Sequence, residues 1–206
     1  MELGTFTEDR QNSNTVNYLN EIKAGATNST LREKYPTIFA QFGIDKTEKF
    51  RQDFLKAEFE NKLRDVKVTY IYGKARLGKT SYIYDKYAFN EICRVTNYTT
   101  GTFEGYHNQK VLVLDEFTGK LDITFMNNLL DRLPIDLPAR FTNRVGCFME
   151  VYIISNLPIN ELYKKEQAET PEIYNAFMQR IHEIIRFTGV GKWEYEKKLV
   201  SGMQNK

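Results

Sequence analysis

The stretch Val68-Thr-Tyr-Ile-Tyr-Gly-Lys-Ala-Arg-Leu-Gly-Lys-Thr-Ser81 decides how this chain of 206 residues is read. An apolar run rich in β-branched and aromatic residues stops at a glycine. Residues 73–80 then carry the spacing Gly-x-x-x-x-Gly-Lys-Thr, a phosphate-binding loop directly behind a strand. Gly73 and Gly78 have no Cβ, so the chain can curl there and aim backbone N–H groups at phosphate oxygens. Lys74, Ala75, Arg76 and Leu77 form the arc between the two glycines. Lys79 has the reach for the β- and γ-phosphates of ATP, and the Thr80 hydroxyl can hold Mg²⁺. Ser81 continues a helix predicted over Thr80 to Tyr87, whose positive N-terminus would face the anion. The alternative, a glycine turn with a surface lysine, does not account for the strand in front.

Two further strand ends extend this reading. Val111-Leu-Val-Leu114 is a continuous apolar run, as expected of a buried parallel strand, and it ends in Asp115-Glu116. An acidic residue at that place can hold Mg²⁺ and its neighbour can orient the attacking water, so Asp115 is assigned to the metal and Glu116 to the water. Val151-Tyr-Ile-Ile154 is another buried strand, ending in Ser155-Asn156. An amide there can hydrogen-bond a γ-phosphate and the lytic water; a turn residue ahead of Pro158 is the plainer alternative. Arg180, on a predicted helix with Phe177 and Ile181, is either a solvated helix residue or a finger that neutralises charge on the γ-phosphate of a neighbouring subunit.

Composition narrows the classes. Hydrophobic residues are 41% and charged residues 27%, as in a globular protein with a sizeable core. A net charge of +2 is too small to imply nucleic acid through a global field, so any such contact must come from a local cluster. Cys93 and Cys147 lack metal-ligand spacing and read as two buried thiols in a reducing compartment. No apolar run approaches the ~20 residues of a membrane span, and Met1-Glu-Leu-Gly opens no signal peptide, so an intracellular protein is expected. His107 and His182 are the only histidines and are not adjacent in sequence, so neither is expected to make a metal site, and Ser/His/Asp catalysis has no support.

Residues 1–62 read as a small helical domain. Residues 1–13 are polar and expected to fray. Val16, Leu19 and Ile22 mark one helix face ending near Gly25; Thr30 to Lys34 forms a brief helix; Pro36 opens a segment closed by Gly43. A longer helix over about 46–61 carries Phe50, Phe54, Leu55 and Phe59 at helical spacing. From Val66, strands and helices alternate. Strands are expected over 66–72, 92–96, 111–114, 151–154 and 184–187, with helices from Asp122 and over 171–182. The fold class is therefore α/β, a phosphate-loop nucleoside triphosphatase with a central, mostly parallel sheet spanning 63–190, preceded by the small helical domain and followed by a tail at 191–206. Pro138-Ala-Arg-Phe-Thr-Asn-Arg-Val145 is basic with one aromatic and precedes the last buried strand. It reads as a β-hairpin in which Arg140, Asn143 and Arg144 could touch nucleic-acid phosphates and Phe141 a sugar or base; an ordinary basic hairpin is the alternative.

In their order, Gly73–Thr80, Asp115-Glu116 and Asn156 within Tyr-Ile-Ile-Ser-Asn-Leu-Pro, the motifs resemble superfamily 3 helicases. The resemblance is to the AAA+-like motor domain of rolling-circle replication initiators of bacterial plasmids and small circular single-stranded DNA viruses. Leu-Pro-Ile-Asp-Leu-Pro-Ala-Arg-Phe-Thr-Asn-Arg, Thr102-Phe-Glu-Gly-Tyr106 and Ala176-Phe-Met-Gln-Arg-Ile-His182 are similar to family patterns too, and the resemblance covers roughly residues 15–188. It implies an ATP- and Mg²⁺-dependent DNA helicase working as a ring, a hexamer, on single-stranded DNA. Lys79, Thr80, Asp115, Glu116 and Asn156 would form the nucleotide site and Arg180 the finger supplied across the interface. The hairpin would line the pore; the family often has a lysine followed by glycines there, where this chain has Arg140 and then Phe141-Thr-Asn. Residues 15–62 resemble the family's small oligomerisation domain. The N-terminal nicking domain usual in the family is not seen, so the chain reads as a motor separated from it or a motor-only protein. The compartment would be the bacterial cytoplasm for a plasmid protein and the host nucleus for a viral one. A superfamily 3 RNA helicase, a small-molecule phosphate-loop kinase and an ATP-dependent assembly protein without motor activity are the alternatives.

Overall fold

The computed structural model describes residues 5–99, 101–139 and 143–196, with side chains from residue 13 onward. The chain divides into two compact units, Met1–Asn61 and Lys62–Lys206.

The described residues of the first unit hold three helices, α1 (Thr5–Lys23), α2 (Asn28–Lys34) and α3 (Pro36–Phe59). Helix α1 starts at Thr5, so residues 5–13, expected to fray, are helical. Among its described side chains, Tyr18 and Ile22 are buried, whereas Val16 is 56% exposed. The helix stops at Gly25, whose φ of +89° is a left-handed conformation that favours glycine. Thr27 caps α2, its Oγ1 accepting from Thr30 N at 3.2 Å. Pro36 opens α3, and Gly43, at φ +71°, breaks that helix into two lengths. Tyr18, Ile22, Leu31, Ile38 and Phe39 form the unit's core, with Phe42, Phe50 and Phe54 packed against it. The Tyr18 hydroxyl sits 2.6 Å from Thr47 Oγ1, which keeps both buried groups satisfied.

The second unit is α/β. A six-stranded sheet runs in the order β2 (Ile92–Val95), β3 (Val111–Leu114), β6 (Glu150–Ser155), β1 (Lys67–Gly73), β7 (Glu183–Gly189), β8 (Lys192–Glu196). The first five strands are parallel and β8 pairs antiparallel to β7. All four residues of β3 are buried, as are five of the six in β6, because both faces are covered; this is why they read as unbroken apolar runs. Ile71, Val113, Ile154, Ile185 and Phe187 lie in one cluster with Ile83 of α4 (Lys79–Tyr84). The remaining helices are α5 (Ile123–Leu129), α6 (Lys164–Glu169) and α7 (Pro171–Arg180). Asp122 caps α5, its Oδ1 accepting from Thr124 N at 2.8 Å and Phe125 N at 3.0 Å. Strands β4 (Asp136–Leu137) and β5 (Arg144–Val145) form a separate antiparallel pair ahead of β6.

Three boundaries differ from the sequence reading. The expected tail begins as a strand: Lys192–Glu196 is β8, held to β7 through the turn at Gly191, whose φ is +64°. Helix α7 ends at Arg180, two residues early, because His182 joins the sheet. Its N donates to Val68 O at 2.9 Å and its Nδ1 accepts from Val68 N at 3.0 Å. Helix α4 is shorter than expected, ending at Tyr84. Cys93 and Cys147 are free and buried. Among the described residues, no helix is long and apolar enough to cross a membrane.

Candidate functional site

The carboxyl ends of parallel strands open into a cleft of about 270 Å³, lined by the loop after β1, the acidic turn after β3 and the end of β6. Crevices at this edge are where open α/β sheets take ligands. The turn out of β1 needs its glycine. Gly73 has φ +146°, and a Cβ there would come within 2.6 Å of Phe187 O on β7. Arg76 (φ +64°) and Gly78 (φ +92°) curl the loop back, and α4 starts at Lys79. The loop is tied to the β7–β8 turn by Gly191 N donating to Leu77 O at 3.1 Å.

Lys79 is at the centre of the arrangement. Only 8% exposed, its Nζ donates to Gly73 O at 2.8 Å, Lys74 O at 2.8 Å and Asn156 Oδ1 at 2.9 Å. Burial lowers its pKa from the usual lysine value, and the Asp115 carboxylate opposes that shift. An anion entering the cleft would therefore meet a cation whose other contacts are neutral oxygens. Thr80 Oγ1 donates to Asp115 Oδ2 at 3.1 Å, joining the loop to the acidic turn. Asp115 is 3% exposed; its Oδ1 accepts from Glu116 N at 2.9 Å. Glu116 is exposed and has φ +54°, an uncommon conformation for a residue with a Cβ.

The sheet order accounts for these juxtapositions. Strand β6 lies between β1 and β3, so Asn156 emerges between the lysine and the acids. Ser155 fixes that exit, its Oγ donating to Phe117 O at 2.7 Å and accepting from Leu157 N at 3.0 Å. The sequence-predicted residues Gly73 to Ser81, Asp115, Glu116 and Asn156 thus converge. Thr80 Oγ1 and Asp115 offer hard oxygen donors side by side, the kind Mg²⁺ takes, and so fit that ion. Among the described residues there is no cluster of three or more His, Cys, Asp or Glu that could hold a metal by itself.

Two residues near Asp115 escaped the sequence reading. Arg94, on β2, places Nε 2.8 Å and one terminal nitrogen 2.7 Å from Asp115 Oδ2. Tyr98 OH donates to Asp115 O at 2.6 Å, and burial pushes its pKa well above the usual tyrosine value. The available signal for Arg94 is a lone cation inside Ile-Cys-Arg-Val, one strand away from the acids.

Arg180 does not join the cleft. Its Nε donates to Asp131 Oδ2 at 3.1 Å, a terminal nitrogen pairs with the same oxygen, and another donates to Ala176 O at 3.0 Å. Since α7 ends just ahead of β7, Arg180 sits at the opposite edge of the sheet from the loop, about five strand residues or ~17 Å away. It therefore cannot serve the cleft of its own chain. Arg64 anchors the segment after α5 from within the core. It is 1% exposed, donates to the carbonyls of Leu129, Asp131 and Leu133, and lies 4.7 Å over the Phe148 ring. Tyr106 and Phe103, of the segment 102–106, are both fully buried; the Tyr106 hydroxyl accepts from Cys147 N at 3.0 Å. In the basic hairpin, Asn143 is exposed and Arg144 half-buried at the start of β5. Arg140 and Phe141 lie outside the described residues. No protein-family model and no curated protein matches the chain.

Proposed function

We propose that the chain is an ATP-hydrolysing motor on single-stranded DNA, of the superfamily 3 helicase type used by rolling-circle replication initiators. The observation that carries this reading is the strand between loop and acids. Strand β6 delivers Asn156 onto Lys79 at 2.9 Å, while Thr80 meets Asp115 at 3.1 Å, all in one cleft. A nucleotide-binding site that only transfers phosphate has no need of a carboxamide sharing the lysine; a hydrolase that must report the state of its γ-phosphate does.

In this reading the glycine turn and Lys79 hold the phosphates, and Lys79 exchanges the carbonyls of Gly73 and Lys74 for phosphate oxygens. Asn156, released from Lys79, reads the terminal phosphate and the water; Glu116 orients that water and takes its proton. Thr80 and Asp115 would hold Mg²⁺ with the nucleotide, and the ion would supply charge neutralisation at the phosphates. Arg180, remote from its own cleft, serves the cleft of an adjoining subunit in a ring, which requires it to leave Asp131. The β4–β5 hairpin grips the DNA.

The test is ATP hydrolysis by the purified chain with and without single-stranded DNA, and the same with matched RNA. Stimulation by DNA, abolished in Lys79→Ala and restored in part by mixing Lys79→Ala with Arg180→Ala subunits, is the expected result. Hydrolysis by Arg180→Ala equal to wild type removes the finger. Phosphate transfer to a nucleoside without any DNA effect favours a kinase. Equal stimulation by RNA replaces the DNA assignment.

A further inference from the structure

The guanidinium of Arg94 stands where a metal-binding carboxylate would meet its ion. Ile92, Cys93 and Val95 of β2 are buried and Arg94 alone is exposed. The parallel register sets Arg94 beside Val113 and Val95 beside Leu114, and Asp115 N donates to Val95 O at 2.9 Å. From there Arg94 puts two nitrogens on one oxygen, Asp115 Oδ2, at 2.8 and 2.7 Å. Thr80 Oγ1 shares that oxygen, and Glu116 N occupies Oδ1. Four protein donors thus fall on the carboxylate, three of them on Oδ2, which offers only about two acceptor sites, and one on Oδ1.

Mg²⁺ needs its oxygens at about 2.0–2.1 Å and in near-octahedral order. It cannot take Oδ2 while a guanidinium holds two contacts there, because the two positive charges would stand side by side. Release of Arg94 disturbs little packing, since its side chain is 42% exposed against 4% for Asp115. Arg94 also lines the same cleft as Lys79, Thr80 and Asn156, so a displaced guanidinium remains among the groups that face the phosphates. Its planar fork suits a phosphate as well as it suits a carboxylate.

We infer that Arg94 is a built-in substitute for the metal: it compensates Asp115 in the nucleotide-free cleft and passes to the nucleotide's phosphates when Mg²⁺ arrives. This rests on the nucleotide-binding reading given above. Arg94 and Mg²⁺ then compete for one oxygen, while Arg94 and the polyphosphate attract each other. Removing the side chain should move two quantities in opposite directions, which a purely structural role would not do.

The test is equilibrium binding of a fluorescent ATP analogue to the full chain, once across a Mg²⁺ titration and once in chelator. Arg94→Gln is expected to lower the half-saturating Mg²⁺ concentration about fivefold and to weaken metal-free binding about fivefold, the scale of one partly exposed ion pair. Arg94→Lys, which keeps the charge without the fork, is expected to move both in the same senses by about twofold, and it decides the matter if the glutamine variant fails to fold. An unchanged Mg²⁺ requirement in a variant that binds nucleotide overturns the substitution, as does weakening of both quantities together. Failure of the wild-type chain to bind the analogue at any Mg²⁺ concentration overturns the nucleotide reading and, with it, this inference.

Discussion

Replacing Gly73 by alanine separates the backbone requirement of the loop from its side-chain chemistry. The new Cβ would sit 2.6 Å from Phe187 O, 3.0 Å from Phe187 Cβ and 3.3 Å from Phe187 C. The first of these contacts is backbone of the adjacent strand, paired with Gly73 in the β1–β7 ladder, and it falls short of ordinary contact by most of an ångström. No rotamer change relieves it; β1 and β7 must part where the loop begins. Overpacking of this kind costs about 1–3 kcal/mol. The backbone angle of +146° adds strain of about 1–3 kcal/mol for a residue with a Cβ. A loss of about 3 kcal/mol is therefore expected, read as a fall in the urea midpoint at unchanged slope, together with loss of nucleotide binding. Gly105→Ala is the companion measurement, since nothing lies within 4 Å of its Cβ and its φ is not positive; it should be neutral to about 0.5 kcal/mol. If Gly73→Ala is as stable as Gly105→Ala and binds nucleotide as wild type does, the account of this turn is wrong.

Other perturbations bear on neighbouring features. Asn156→Asp places a carboxylate on Lys79 at the 2.9 Å contact, which should weaken ATP binding at least tenfold in a fluorescence titration while leaving the fold intact. Arg64→Ala strips donors from the carbonyls of Leu129, Asp131 and Leu133 and should cost about 3 kcal/mol in chemical denaturation; a loss below ~1 kcal/mol would refute its anchoring role. Burial raises the Asp131 carboxyl, but Arg180 and the backbone N–H groups of Leu133 and Arg132 outweigh it and hold the pKa below the usual 3.8. Because the folded value is depressed, this carboxylate's contribution is fully present above pH 3.8 and lost as pH falls through the lower, folded value; Asp131→Asn should flatten that part of the acid-denaturation curve. Burial pushes the Cys93 thiol up to about 11, so at pH 8 it should react with a disulfide reagent only upon unfolding.

How much of this was legible in the chain follows the range of the interactions involved. The glycine turn after β1 was readable because its glycines answer to local backbone geometry, and β3 and β6 because burial on both faces leaves unbroken apolar runs. The contact of Lys79 with Asn156 joins residues far apart in sequence, yet the two motifs pointed to one ligand and so to each other. Arg94 announced nothing: its partner is fixed by strand pairing, which no local pattern records. Strand β8 was missed because all five of its residues are exposed, so no buried face marked Lys-Trp-Glu-Tyr-Glu off from a tail. The first ten residues of α1 are polar apart from Phe6, so a 3.6-residue period had a single apolar position to display.

Strand β6 has a mechanical consequence. Asn156 follows its carboxyl end in the cleft, and the β4–β5 hairpin leads into its amino end. Hydrogen bonds lock the strand on both sides, to β1 from Glu150 to Ser155 and to β3 from Glu150 to Ile153. A slide by one residue would break both ladders and turn every side chain to the wrong face. The strand therefore behaves as a rod clamped along its length, not as a piston. Force applied at Asn156 reaches the hairpin only by tilting the sheet as a body, and the give must come from the loops at either end of the rod.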